Sequence, residues 1–224
     1  THISPPGYSE GVERIAGGLK DIGKRTRGVP MLHDLDVRFR VMEQFPEYQQ
    51  VLSLPTPPIE LYATPEQAIE LARIANDSMA ELVEKYPDHF VAFAAALPMN
   101  APDAALVEAE GAVTELGAKG IQIYSNVLGK PIVSPEFLPL FEAMVGYDLP
   151  IWLHPYRGAD FPDYLKEDAS EFEIWWTFGW PYDTSAAMAR VVFAGLFDTW
   201  PSLKIIAHHM GAMVPYFAGR VGPG

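Results

Sequence analysis

The chain contains no cysteine among its 224 residues, and this absence excludes several kinds of chemistry. It has no disulfide, no thiolate zinc site and no cysteine nucleophile. Basic residues are also few, with 16 Lys and Arg against 29 Asp and Glu, which gives a formal net charge of −13. Such a chain repels phosphate backbones, so we expect no nucleic-acid partner. A bound metal ion would have to be held by His, Asp or Glu side chains.

Long apolar runs are missing as well. None reaches the roughly 18 residues that a membrane-spanning helix needs, and the first residues do not resemble a signal peptide. We therefore expect no membrane partner, and the lack of cysteine fits a reducing cytoplasm. No glycine-rich phosphate loop follows any predicted strand, which argues against an open sheet that binds nucleotides. Hydrophobic residues make up 49% of the chain, as is typical of a globular domain.

Strands and helices are predicted to alternate from residue 48 onward, which indicates βαβ units and a parallel sheet. The clearest helix start is Thr64-Pro65-Glu66-Gln67, where Thr64 caps the helix and Gln67 lies three residues later. The predicted strands are 48–54, 90–97, 119–124, 151–153 and 203–207, and the later helices are 102–116, 135–145 and 184–197. Residues 1–47 are predicted to be irregular because Pro5-Pro6-Gly7 interrupts them, and residues 156–183 to form an aromatic-rich insertion.

Polar side chains cluster directly after these predicted strands. They are Ser53, Asn100, Ser125, Asn126, His154, His208 and His209. A (β/α)₈ barrel places its chemistry at the carboxyl ends of its strands, so this distribution favours a barrel over an open sheet. The sequence therefore predicts one α/β barrel domain over residues 1–224, with its active site at that end of the strands.

Three histidines at predicted strand ends are candidate site residues. His154 follows an apolar run and precedes Pro155, and it is either a metal ligand or a structural histidine bonded to the backbone. His208 and His209 are adjacent, and neighbouring residues on extended backbone point in opposite directions. We therefore expect only one of the two to face the site while the other packs or supports it. His2, near the start, is either a ligand or exposed to solvent.

Two further motifs are candidates for substrate binding. Arg38 and Arg40 flank Phe39 and are either surface charges or a clamp for a substrate carboxylate, which guanidinium binds with two hydrogen bonds. The segment 175–182 has the highest aromatic density in the chain. One expectation is that this segment packs in the core or forms a subunit contact. The other is that it lines a pocket for a flat substrate, in which case Trp176 contacts the substrate.

These motifs together resemble the amidohydrolase superfamily, and in particular the branch of aminocarboxymuconate semialdehyde decarboxylase and the resorcylate decarboxylases. The segment from His209-Met210-Gly211 to Pro215 and Arg220 resembles the family's His-x-Gly…Pro…Arg motif after strand 6. His154-Pro155 resembles the metal-ligand histidine after strand 5. Thr1-His2-Ile3 resembles the second half of the His-x-His motif of strand 1, and Asp36 to Arg40 resembles the segment that carries a substrate-binding arginine.

The resemblance implies a TIM-like (β/α)₈ barrel of the metal-dependent hydrolase type. Strand 1 and strands 7 and 8 are missing from the sequence, so we expect a piece of a longer polypeptide. It also implies roles for the candidate residues: metal binding by His2 and His154, catalysis by His209 with His208 as its support or alternative, and substrate binding by Arg38 and Trp176. The expected cofactor is a divalent metal, zinc rather than manganese, and the expected assembly is a homodimer or a higher homo-oligomer.

The predicted activity is the nonoxidative decarboxylation of an aromatic or unsaturated carboxylate. Two alternatives stay open at this point. One is a metal-dependent hydrolase, similar to a lactonase or amidase, acting on a small cyclic carboxylate. The other is a barrel without catalytic activity that serves as a scaffold.

Overall fold

A computed structural model of the protein describes residues 1–17, 26 and 28–222, which form two units, Thr1–Gln122 and Ile123–Gly224. The helices are α1 Pro6–Ala16, α2 Leu35–Met42, α3 Pro65–Lys85, α4 Pro102–Thr114, α5 Leu138–Gly146, α6 Ile174–Thr177, α7 Gly179–Phe193, α8 Leu196–Thr199 and α9 Ala218–Val221. The strands are β1 Gln50–Leu52, β2 Phe90–Phe93, β3 Ala95–Ala96, β4 Ile121–Tyr124, β5 Asn126–Val127, β6 Lys130–Pro131, β7 Ile151–His154 and β8 Ile205–Ala207. Within the described residues, no helix combines the length and apolar character needed to cross a membrane.

The strands of the first unit pair in parallel, as predicted. β1 pairs with β2, and β3 pairs with the first residues of β4. The predicted strand 90–97 is observed as two short strands because its backbone changes neighbours. The N–H of Ala94 still donates to the carbonyl of Leu52 at 2.8 Å, whereas the N–H of Ala95 donates to the carbonyl of Gly120 at 2.9 Å. This continuous apolar segment therefore forms the centre of the first unit.

Helix α3 begins where its sequence predicts. The N–H of Gln67 donates to Thr64 Oγ1 at 3.3 Å, and the N–H of Thr64 donates to Gln67 Oε1 at 2.9 Å, which is a complete capping box. One face of the helix is buried, through Ala68, Leu71, Ala72, Ala75, Asn76, Met79 and Leu82. The Asn76 amide hydrogen-bonds both backbone groups of Ala96, at 2.8 and 2.9 Å, and so fastens the helix to β3.

The prediction that residues 1–47 are irregular is wrong, because this region contains α1 and α2. Pro6 is the first residue of α1, a position where the missing N–H has no helical partner to lose. Gly7 and Gly11 lie four residues apart and face α3. A Cβ on Gly7 would lie 2.8 Å from Ser78 Oγ, and a Cβ on Gly11 would lie 3.2 Å from Ile74 Cδ1. These glycines permit close packing of α1 on α3 and do not mark a loop.

The strands of the second unit bring candidate residues to one edge. β7 pairs in parallel with β8, with Leu153 opposite Ala207. The N–H of Ser125, directly after β4, donates to the carbonyl of His154 at 2.8 Å. The carboxyl ends of β4, β7 and β8 therefore lie side by side. His154 ends β7, and His208 follows β8 immediately.

Helix α7 begins five residues before the predicted start at Thr184. Its third residue is Pro181. The first four N–H groups of a helix have no partner within the helix, so a proline in the first turn breaks no hydrogen bond. The helix ends at Phe193, and Gly195, with a φ of 74°, leads into the short α8. The predicted insertion 156–183 therefore includes α6 and the first turn of α7.

Candidate active site

His154 is the buried centre of a cluster of rings in the second unit, with 2% of its surface exposed. Its Nδ1 lies 2.7 Å from the backbone carbonyl oxygen of Pro155. A carbonyl oxygen can only accept, so Nδ1 carries the proton and donates. The proton on Nδ1 leaves the lone pair of a neutral imidazole on Nε2, which is the atom that a histidine held in this way presents to a metal or a proton.

The rings of His208 and His209 both contact His154, which corrects the expectation that only one of them faces the site. The ring centroids of His208 and His209 lie 4.8 and 5.2 Å from that of His154, and His209 Nε2 lies 3.5 Å from His154 Nε2. The expectation assumed extended backbone through both residues. The strand instead ends at Ala207, and His209 has a left-handed φ of 53°. This turn brings two sequence neighbours to the same side.

Burial lowers the pKa of both of these imidazoles. Burial and then the neighbouring His209 lower the pKa of His208 to about 4. Partial burial also lowers the pKa of His209 below its usual value. A neutral imidazole retains a lone pair, so it can bind a cation or accept a proton. When protonated, it releases that proton more readily than an ordinary imidazolium does.

Three tryptophans, Trp175, Trp176 and Trp180, form a cluster beside the histidines that we call the aromatic wall. The Trp180 ring centroid lies 6.2 Å from that of Trp175 and 6.0 Å from that of Trp176. It also lies 5.4 Å from His154 and 5.8 Å from His209. The wall borders a cavity of about 350 Å³, which is lined by Pro155, Trp176, Thr177, Trp180, Pro181, Thr184 and His209. Rigid rings beside imidazoles suit a flat organic ligand.

The predicted site residues divide between the two units. Trp176 lies in the cavity wall, with 41% of its surface exposed, and His154, His208 and His209 form the ring cluster. These four residues belong to the second unit, whereas His2 and Arg38 belong to the first. Trp180, which contacts both His154 and His209, was not singled out from the sequence. Only its place in the aromatic segment 175–182 pointed to it.

His2 is held next to β1 in the first unit. It forms a parallel bridge with Ser53, and the N–H of Ile3 donates to the carbonyl of Ser53 at 2.9 Å. Its Nδ1 lies 3.1 Å from Ser53 Oγ, so a hydrogen bond orients the ring. The side chain is half-buried. His2 is therefore positioned by its bridge and hydrogen bond to Ser53, and solvent exposure, the alternative considered from the sequence, does not describe it.

Arg38 is a buried cation in the first unit, with 2% of its surface exposed, so the surface-charge interpretation is wrong for this residue. Burial lowers its pKa to about 10, and the guanidinium remains charged at neutral pH. It donates to the carbonyls of Met31 at 2.6 Å and His2 at 2.5 Å, and to Gln50 Oε1 at 2.6 Å. A role as a carboxylate clamp would require it to exchange some of these bonds, and that role stays a prediction.

Comparison with known proteins gives the wider context. Residues 35–223 match the family model described as amidohydrolase. A 2-amino-3-carboxymuconate-6-semialdehyde decarboxylase from Dictyostelium discoideum is 31% identical over 191 residues, which cover 85% of this chain and 52% of that relative. A gamma-resorcylate decarboxylase from Polaromonas sp. is 35% identical over 199 residues, with coverages of 83% and 58%. This chain therefore spans between 52% and 58% of the length of these two curated relatives.

A solved structure of a decarboxylase also resembles this chain in fold. A dihydroxybenzoic acid decarboxylase from Polaromonas sp., with bound manganese and the inhibitor 2-nitroresorcinol, superimposes with a TM-score of 0.74 at 30% identity. The match covers 89% of this chain and 64% of that one. With the parallel strands and intervening helices, the similarity confirms the predicted α/β fold of the TIM-barrel type.

Proposed function

This chain belongs to the amidohydrolase family, and on that premise we propose that its protein removes the carboxylate of an aromatic or unsaturated acid without oxidation. The observation that carries the proposal is the cluster of His154, His208 and His209 beside the aromatic wall and its cavity. The decarboxylases among its relatives favour this reaction over the hydrolase alternative. The convergence of three imidazole rings beside a cavity also favours a catalytic site over a scaffold.

We propose a divalent cation as cofactor, with His154 and His2 as protein ligands. His154 fits this role because its Nδ1–H is bonded to a carbonyl, which leaves Nε2 as the donor atom. His2 fits because Ser53 orients its ring. When bound, such a cation would act as a Lewis acid toward a substrate oxygen. The predicted preference for zinc finds no support among the solved relatives, since the Polaromonas decarboxylase contains manganese. Manganese is therefore the first ion to test.

We propose His209 as the residue that handles the proton of the reaction. Decarboxylation breaks the bond between the substrate carbon and its carboxylate carbon, carbon dioxide leaves, and the electron pair left on the substrate carbon takes up a proton. His209 reaches the cavity and has a lowered pKa, so its protonated form is a strong proton donor. His208, more deeply buried, supports His209 and limits the access of water.

The aromatic wall supplies the surface on which a flat substrate would lie. Trp176 lines the cavity and keeps part of its ring exposed, which suits stacking on a planar ligand. The proposed substrate is therefore a planar carboxylate such as a hydroxybenzoate. The bonds of Arg38 to the backbone of His2 and Met31 favour a role in holding the His2 segment, and its contact with substrate remains a weaker part of this proposal.

Assay of the intact, manganese-loaded protein against two substrate panels tests this function. One panel contains hydroxybenzoates and unsaturated carboxylates, and the other contains small lactones and amides that carry a carboxylate. We expect carbon dioxide release from the first panel and no hydrolysis of the second. Hydrolysis of a lactone without carbon dioxide release would favour the hydrolase alternative. A folded, metal-bound protein inactive on both panels would favour a scaffold.

A further inference from the structure

Trp180 is the member of the aromatic wall that contacts His154 and His209, and it lines the cavity, so its orientation shapes the cavity. Its indole contacts the rings of His154, His209, Trp175 and Trp176. Ring contacts alone allow an indole to tilt, because each is weak and tolerates a range of angles. A hydrogen bond fixes the tilt of the Trp180 indole. Trp180 Nε1–H donates to the backbone carbonyl oxygen of Arg157 at 3.0 Å.

Arg157 is attached to the same helix a second time, through its side chain. Its Nη1 lies 3.4 Å from Asp183 Oδ1, and the two side chains keep only 20% and 15% of their surfaces exposed. Asp183 lies three residues after Trp180 and therefore on the same side of α7. The Arg157 side chain passes over Gly179, where an added Cβ would overlap the arginine Cδ. Its guanidinium also lies over the Phe161 ring at 5.2 Å.

The backbone that leads into Arg157 is held by hydrogen bonds from residues that follow β4. The N–H of Tyr156 donates to Ser125 Oγ at 3.0 Å, and Asn126 Nδ2 donates to the carbonyl of Tyr156 at 2.9 Å. Tyr156 follows His154 by two residues. The carbonyl that accepts the hydrogen bond of Trp180 Nε1–H is therefore held near the end of β7. The side chain of the same residue, Arg157, connects it to α7 through Asp183.

We propose that Arg157, paired with Asp183, is a positioning residue that sets the orientation of Trp180 beside His154 and His209 and thereby determines how tightly a planar carboxylate binds. This inference rests on the proposed function. It predicts that Arg157 acts on binding more than on the chemical step, because the arginine itself does not line the cavity. It also predicts that Arg157 acts through Trp180.

Steady-state kinetics of the intact, metal-loaded protein test this role with Arg157→Met, which removes the charge and keeps the backbone carbonyl. We expect KM for a hydroxybenzoate to rise about fivefold, as loss of a partly buried ion pair would give, with kcat within about twofold and metal content unchanged. Arg157→Lys should restore part of the loss. Arg190→Met, which removes an exposed arginine from α7, the helix that carries Trp180 and Asp183, is the matched control and should leave KM unchanged.

Two further variants probe the connection between Arg157 and Trp180. Trp180→Phe keeps a ring but removes the indole donor, and it should raise KM in the same direction. In that background Arg157→Met should add little, since residues that act through one another are not additive. Gly179→Ala keeps every charge but displaces the Arg157 side chain, and it should reproduce the rise in KM even if Arg157→Met folds poorly.

A spectroscopic measurement keeps this inference separate from the proposed function. The indole N–H signal of Trp180 in a nitrogen-15 spectrum can be identified by its absence in Trp180→Phe, and Arg157→Met should shift it whether or not the protein turns over any carboxylate. Loss of thermal stability with an unmoved signal and an unchanged KM would overturn the positioning role. Additive effects of Arg157→Met and Trp180→Phe on KM would also overturn it. Absence of turnover in the wild type, with the signal shifted as expected, would instead count against the proposed function alone.

Discussion

Glu60 gives the sharpest quantitative prediction for the first unit. It is 6% exposed, and its Oε1 is buried with no hydrogen-bond partner among the residues that the structure describes. Burial raises the pKa of its carboxyl from 4.5 to about 7. Between pH 4.5 and about pH 7, Glu60 keeps its proton in the folded protein and has released it in the unfolded chain. The free energy of unfolding therefore falls as the pH rises through this interval, and the destabilisation is complete above pH 7.

The size of this effect follows from the two pKa values of Glu60. At about 1.4 kcal/mol per pH unit, the interval from 4.5 to 7 corresponds to roughly 3 kcal/mol, of which roughly 2.5 kcal/mol develops between pH 5 and pH 8. Glu60→Gln removes the titrating group and keeps the shape of the side chain. Relative to wild type, it should therefore gain roughly 2.5 kcal/mol of unfolding free energy between pH 5 and pH 8.

Urea denaturation at the two pH values measures this change directly. Glu84→Gln is the matched control, because Glu84 is exposed on α3 and its variant should show no such pH dependence. An equal stability difference between Glu60→Gln and wild type at pH 5 and pH 8 would contradict the raised pKa of Glu60. It would mean that Glu60 ionises in the folded protein as readily as in the unfolded chain.

Three other predictions concern the site and the core. His209→Asn in the intact protein should lower kcat by at least about 100-fold while bound metal, measured by elemental analysis, stays constant; loss of metal would show that the residue is a ligand instead. Removal of metal with a chelator should abolish turnover, and manganese should restore it; full activity in the chelated protein would contradict the proposed cofactor. Asn76→Ala should destabilise the fold by about 2–4 kcal/mol in urea denaturation, because it leaves both backbone groups of Ala96 unpaired, whereas the exposed neighbour variant Asp77→Ala should change stability little.

Local signals in the sequence were sufficient for much of the fold. The start of α3 depends on Thr64 and Gln67, which lie three residues apart and satisfy each other's backbone, so the pattern is complete within the segment. The alternation of apolar strands and helices likewise predicted the parallel α/β class. The roles of His154 and Trp176 remain proposals, but their placement in one ring cluster follows from positions that the sequence had singled out.

Features that depend on tertiary contacts were missed. Residues 1–47 were predicted to be irregular because Pro5-Pro6-Gly7 interrupts them, whereas Pro6 begins α1 and the packing of α1 against α3 explains Gly7. The position of His209 depends on a left-handed backbone conformation after β8, which the residue types in this segment do not predict. Arg38 was expected at the surface or on substrate, whereas carbonyls from distant segments enclose it.

The central claim is that the histidine cluster and the aromatic wall support a metal-dependent decarboxylation. Its most direct test follows a hydroxybenzoate labelled with carbon-13 at the carboxyl carbon, incubated with the intact protein as manganese is added stepwise. We expect labelled carbon dioxide and decarboxylated product in equal amounts, at a rate that rises with bound metal and then saturates. Saturation with metal and no labelled carbon dioxide from any planar carboxylate would contradict it.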